Sequence, residues 1–273
     1  MKKCVVVADW AEDVLAAQEV RTTIESFLGD PSSPNIQFVP STTSTLHTSF
    51  LISQILTTEE EYGRPLETVI YQGTDPRIST DQSTELPEGA EFIVVHLASG
   101  VYLCGPNSGY AFSLIKDKIE EVYSYRELTT EAKFRSRDLY ARIVSHLMDA
   151  EEDELDLEEV SSNIIPELKG SFIGHVDNFG TLKTTIISED LKEKYTYGSS
   201  VPLKINNVEK QVRLVNKKYE GSPGELILYP GSSGHKDNPF MEISVWQDFN
   251  TPVQTAAEVF GNAKPGMVVE VTQ

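Results

Sequence analysis

The chain has 273 residues, with 42 acidic against 23 basic side chains and a formal net charge of −19. Charge of that sign repels phosphate backbones and anionic membrane surfaces, and no basic stripe interleaved with aromatics offsets it, so neither nucleic acid nor membrane is expected as a partner. The length favours two cores over one.

After Met1-Lys2-Lys3-Cys4 the apolar run stops at Ala8, too short for a secretory leader, and nothing approaches the roughly 20 apolar residues of a spanning helix. A cytoplasmic chain is expected. Cys4 and Cys104 lie in strand-like surroundings and offer neither a disulfide framework nor zinc-ligand spacing, so no metal site is expected either.

Cys4 to Ala8 reads as a first strand. Val14, Ala17, Arg21, Ile24 and Leu28, with Val20 and Phe27, recur at three- and four-residue steps, which predicts a helix over Ala11 to Leu28 that Gly29 and Pro31 stop. Further strands are expected at Ile36 to Val39, Thr68 to Tyr71, Glu91 to Leu97 and Val101 to Cys104. Helices are expected near His47 to Leu56, Ala111 to Lys118 and Asp138 to Met148. Alternation of this kind predicts an α/β domain with a largely parallel sheet over residues 1–165. Asp149 to Glu159 is mostly acidic and reads as a solvated segment leading to the domain boundary; it lacks the pattern of a calcium loop.

From residue 166 onward the sequence turns to β-branched runs divided by turn residues: Phe172 to Asp177, Thr181 to Ile187, Val201 to Ile205, Gln211 to Val215, Glu225 to Tyr229, Phe240 to Trp246 and Met267 to Val271. This predicts a smaller C-terminal antiparallel domain, barrel-like, with a tight hairpin at Asn206-Asn207.

Several short motifs can carry chemistry. Asp9 directly follows the first strand, where open α/β sheets gather ligands, and a carboxylate there can accept both hydroxyls of a ribose; Asp is also a common turn and cap residue. Gly105-Pro106-Asn107-Ser108-Gly109 turns from a strand towards a helix. Phe134-Arg135-Ser136-Arg137-Asp138 sets two guanidiniums and a hydroxyl before a helix. Asp177-Asn178-Phe179-Gly180-Thr181 sets a carboxylate at a turn between strands.

In this order, and across essentially the whole chain, these motifs resemble the family of S-adenosylmethionine (SAM) hydroxide adenosyltransferases and fluorinases. The resemblance implies a homotrimer in which SAM, as substrate and without further cofactor, lies between the first domain of one subunit and the second domain of its neighbour. It assigns Asp9 to the ribose hydroxyls and Asp177 to the methionine ammonium. Asn107 and Phe179 belong to the matching ligand-binding motifs, and Ser232 and Ser233 fall near the segment that holds the methionine carboxylate. Trp246 lies where family members wrap the adenine, and reads either as a stacking residue or as a barrel tryptophan. Trp10-Ala11 and Thr181 depart from the family pattern, and Thr43 stands where members often place an aromatic against the ribose.

The reaction centre departs further. Hydroxide enzymes carry an Asp where this chain has Tyr71, and a His where it has Arg135; Arg77 alone corresponds, offset by one residue. Tyr71, Thr74 and Ser136 instead match residues that surround the halide in fluorinases. The sulfonium leaves as a neutral thioether, so attack at C5′ needs a desolvated, aligned nucleophile and no general acid. Water must also lose a proton; a halide need not. Hydroxyl donors without a base therefore suit an anionic nucleophile, or a protein that binds SAM or adenosine without turnover.

Overall fold

The β-branched run Val5-Val6-Val7 forms the buried middle of strand β1 (Lys3–Ala8), the first strand of the molecule. The computed structural model describes residues 2–32, 34–79, 84–86, 89–125, 132–247 and 254–272. It divides into two units, Met1–Leu168 and Lys169–Gln273.

In the first unit β1 is followed by α1 (Val14–Phe27), β2 (Ile36–Pro40), α2 (Thr45–Tyr62), β3 (Thr68–Gln72), β4 (Phe92–Leu97), β5 (Tyr102–Pro106), β6 (Ile119–Tyr125), α3 (Ala141–Asp149) and β7 (Leu157–Glu159). The strands form one sheet in the order β2-β1-β3-β5-β4-β6-β7. Pairs among β2, β1, β3 and β5 are parallel, while β5–β4, β4–β6 and β6–β7 are antiparallel. The sheet is thus mixed, not largely parallel as expected. A parallel crossover needs a dozen or more residues, and only residues 98–101 join β4 to β5, so that connection has to reverse the chain.

Strand alternation sorts the sheet's side chains onto two faces. Val6, Val69, Tyr71, Val94 and Cys104 pack with Val20 and Ile24 of α1 and with Ile143, Val144 and Leu147 of α3. Val5, Ile70, Ile93 and Leu103 pack instead with Ile52 and Leu56 of α2.

Local chemistry moved several boundaries. The Asp13 carboxylate accepts the amides of Leu15 at 2.9 Å and Ala16 at 3.3 Å, so α1 starts at Val14, after the expected Ala11. The 111–118 helix tightens to a 3-10 segment, Ser113–Lys118. The helix expected from Asp138 begins with a π-helical turn, Ser136–Tyr140, before α3. Strand β6 was not legible, and β7 lies within the acidic stretch read as a solvated segment.

The second unit holds β8 (Ser171–Val176), β9 (Leu182–Ile187), β10 (Ser200–Ile205), β11 (Val208–Leu214), β12 (Leu226–His235), β13 (Asn238–Val245) and β14 (Val268–Val271). They close into a barrel in the order β10-β11-β12-β13-β9-β8-β14. Its pairs are antiparallel except β11–β12, which is parallel. Closure pairs the strands that an open sheet would leave as edges. Asn206 and Asn207 both take left-handed φ values, 46° and 65°, as a two-residue hairpin of type I′ requires, so β11 starts at Val208 and earlier than expected.

Candidate functional site

Parallel pairing brings the ends of β1 and β3 side by side, so Asp9-Trp10 and Gly73-Thr74-Asp75 leave the sheet together. The Gly73 amide donates to the Val7 carbonyl at 2.9 Å, and the Trp10 indole Nε1 donates to the Gly73 carbonyl at 3.2 Å. A side chain at Gly73 would place its Cβ 2.9 Å from that of Ala8 and 3.1 Å from the indole, so glycine is what lets Trp10 lie across the edge. The indole meets Phe38 and Phe134 edge-on, with ring centroids 6.2 and 5.6 Å away. Trp10, a departure from the family pattern, is therefore a wall of this edge, a role the sequence reading did not give it.

Asp9 is half-buried beside this wall. Burial raises its carboxyl above the ordinary value of 3.8; its own amide and that of Trp10 pull it back, and the negative Asp75 raises it again. The Asp75 carboxylate accepts the amides of Arg77 and Ala90, each at 3.1 Å, and so braces the turn after β3. Gly89, at φ +75°, has no room for a Cβ because the Arg135 guanidinium and the Asp75 carboxylate both lie against it. Arg77 itself has φ 57°, uncommon for a side chain of this size, and its guanidinium acts electrostatically on Tyr140 together with Arg135 and Asp75.

Tyr71 and Ser136 are brought together on the α1–α3 face. Tyr71 is wholly buried, and its hydroxyl has no well-formed hydrogen bond, although Ser136 is near enough to favour its ionised form. Burial outweighs that influence and pushes the phenol well above 10. The π-helical turn carries Ser136 and Tyr140 on its buried side, and such turns recur at functional sites. Tyr140 meets Tyr71 at 6.4 Å between centroids, its hydroxyl is also buried without a partner, and burial pushes it up to about 12. Tyr140 was missed; the signal available was its place four residues after Ser136.

Thr74 is tied elsewhere. Thr48 of α2 donates to its hydroxyl at 2.8 Å, Ser41 shares a hydrogen bond of 2.8 Å with Thr48, and Ser108 donates to the Thr74 carbonyl at 2.7 Å. Asn107 donates from Nδ2 to the Ile164 carbonyl at 3.0 Å, while its buried Oδ1 has no partner.

In the barrel, Asp177 closes the β8–β9 turn by accepting the amides of Phe179 and Thr181 on Oδ1, each at 2.9 Å. Phe179 is 76% exposed. Ser232 and Ser233 belong to a cluster that the sequence did not announce. Lys183 Nζ donates to Ser232 at 2.8 Å, Ser233 at 3.3 Å and Glu242 at 2.9 Å. Glu242 also accepts the Ser232 amide at 2.9 Å and the Tyr229 hydroxyl at 3.0 Å. Asp177 influences Tyr229 and His175 electrostatically. Trp246 is half-buried against Val215, Ile227 and Tyr229, a small cluster separate from the main barrel core.

Together these elements define an α/β unit with a mixed sheet and a closed seven-stranded barrel. No protein-family model and no curated protein matches the chain. Solved structures do share the fold. An uncharacterized conserved protein from Thermotoga maritima matches 97% of this chain over 98% of its own, at 18% identity and a TM-score of 0.67. A conserved hypothetical protein from Thermus thermophilus matches over 100% of both chains, at 16% identity and a TM-score of 0.63.

Proposed function

We propose that the carboxyl edge of β1 and β3 binds the nucleoside of SAM, and that the chain is an adenosyltransferase-like protein whose nucleophile at C5′ is an anion. The observation that carries this reading is the pair of buried phenol hydroxyls, Tyr71 and Tyr140, which have no acceptor and sit beside Ser136 and close to the Arg135 guanidinium. Hydroxyls and a guanidinium supply hydrogen-bond donors to an anion and cannot take a proton from water at neutral pH, because both phenols are raised, one to about 12 and the other well above 10.

Asp9 accepts the ribose hydroxyls in this reading. A carboxylate withdrawn from water and held by two amides gains from two further donors. Trp10 supplies an apolar wall. The smaller C-terminal barrel of a neighbouring subunit in a homotrimer supplies the remaining contacts: Asp177, whose Oδ2 stays available for the ammonium, with Phe179, Ser232, Ser233 and Trp246. Methionine and a 5′-substituted adenosine are the products.

A second reading, binding without turnover, is favoured by Thr74, whose hydroxyl is engaged by Thr48 and whose carbonyl is engaged by Ser108. One experiment separates the two. Purified protein is incubated with SAM with and without chloride or fluoride, and the products are chromatographed. Halide-dependent loss of SAM supports the first reading. Binding by calorimetry without products supports the second, and absence of binding defeats both. Light scattering should give a trimer; a monomer at micromolar concentration counts against a site completed by a neighbour.

A further inference from the structure

The end of α3 carries a different group of side chains. The Lys2 amide donates to the Met148 carbonyl at 2.7 Å, so this end of α3 lies by the start of β1, whereas Asp9 follows the strand's other end. His146 occupies the last turn of the helix. Ala150, left-handed at φ 60°, reverses the chain, and the Glu151 amide returns to the His146 carbonyl at 2.9 Å. A single 3-10 turn, Glu152–Glu154, follows, and Leu155 anchors it in the core.

This backbone folds Glu151 and Glu154 back towards the imidazole. One ligand atom from each of His146, Glu151 and Glu154 lies within 4.8 Å of the others, the single such His/Cys/Asp/Glu group among the described residues. The imidazole adds an independent observation. Its Nδ1 is buried and makes no hydrogen bond, with the nearest Glu151 oxygen at 3.5 Å.

We propose that His146, Glu151 and Glu154 bind a divalent transition-metal ion of the zinc type, which clips the end of α3 to the turn that follows it. One imidazole and two carboxylates suit zinc, whereas magnesium and calcium take oxygen ligands. Bonds of about 2.1 Å bring tetrahedral ligand atoms to roughly 3.4 Å apart. Glu151 and Glu154 are exposed, so rotation of their side chains closes the difference without moving the helix. Water completes the shell. Coordination through Nδ1 leaves the ring proton on Nε2, and the exposed Arg142, whose Nε now faces Nε2 at 3.5 Å, must turn to solvent.

The test is a calorimetric titration of the full chain with zinc chloride in a non-chelating buffer. One ion per chain is expected, with micromolar affinity that millimolar magnesium does not abolish. His146→Gln should weaken binding at least tenfold, as should Glu151→Gln with Glu154→Gln. Asp153→Asn, which removes a neighbouring charge only, should leave affinity within twofold, and Arg142→Ala should tighten it. Circular dichroism checks folding, and Glu154→Gln, at an exposed position, answers the same question should His146→Gln fail to fold. Absence of zinc uptake, uptake indifferent to His146 and Glu154, an equal loss in Asp153→Asn, or no tightening in Arg142→Ala would overturn the site.

Discussion

Asp9 at the edge of the sheet and Glu242 in the barrel are both carboxylates withdrawn from water, yet their acidities are shifted in opposite directions. Glu242 is depressed despite its burial, because the Ser232 amide, the Lys183 ammonium and the Tyr229 hydroxyl all favour its charge. Asp9 is raised, because its own amide and that of Trp10 do not make up for the water it has lost and Asp75 adds a like charge. Internal partners already satisfy Glu242, which thereby holds the cluster that carries Ser232 and Ser233. The edge carboxylate is under-compensated, and a ligand's hydroxyls would supply what is missing.

Breaking the barrel side of this contrast should have the largest effect. Lys183→Ala leaves Glu242 charged, buried and without its cation, and should cost about 3 kcal/mol, read as a lower urea midpoint for the barrel. A midpoint within error of the parent would mean that Glu242 is solvated and the contrast is false. Asp9→Asn comes next, with two readouts. Affinity for SAM or adenosine should fall about tenfold, roughly 1.4 kcal/mol, by calorimetry, while thermal stability at pH 7 holds or rises because a penalised charge has gone. Loss of both would make Asp9 structural.

Tyr71→Phe probes the uncompensated groups of the first unit. Removing a buried hydroxyl that makes no well-formed hydrogen bond should leave stability unchanged or raise it by about 1 kcal/mol. If that hydroxyl serves an anionic nucleophile, halide-dependent turnover should drop at least tenfold in the same variant. Unchanged turnover would leave Tyr71 as packing alone.

The smallest effect is on pH dependence. Glu242, depressed below 4.5, contributes stability that is present above its unfolded value and lost as pH falls through its folded one. Asp9, raised above 3.8, works oppositely, since stability declines as pH rises from its unfolded value through its folded one. Acid titration of Asp9→Asn should therefore lose the decline while keeping the acid-side loss, and Glu242→Gln should show the converse. Two profiles parallel to the parent would mean that neither shift is real.

Elements whose signal is carried by a few adjacent residues were legible in the sequence. Val5-Val6-Val7 is apolar on both sheet faces and reads as a buried strand without any partner in view. Asn206-Asn207 tolerates left-handed backbone and reads as a hairpin, and the change to β-branched runs after Lys169 reads as a separate barrel-like domain. Asp9 was legible as a candidate because it follows the first strand.

What depends on neighbours distant in the chain could be read only from the fold. Strand direction beyond β5 was set by a connection too short to cross over. Strand β7 formed in an acidic stretch because β6 offered it backbone partners, which no side-chain pattern records. The grouping of Tyr71 with Tyr140, of Trp10 with Gly73, and of Lys183 with Glu242 joins residues from different elements. So does the direction of each acidity shift, since desolvation and charge are properties of the surroundings and not of the residue.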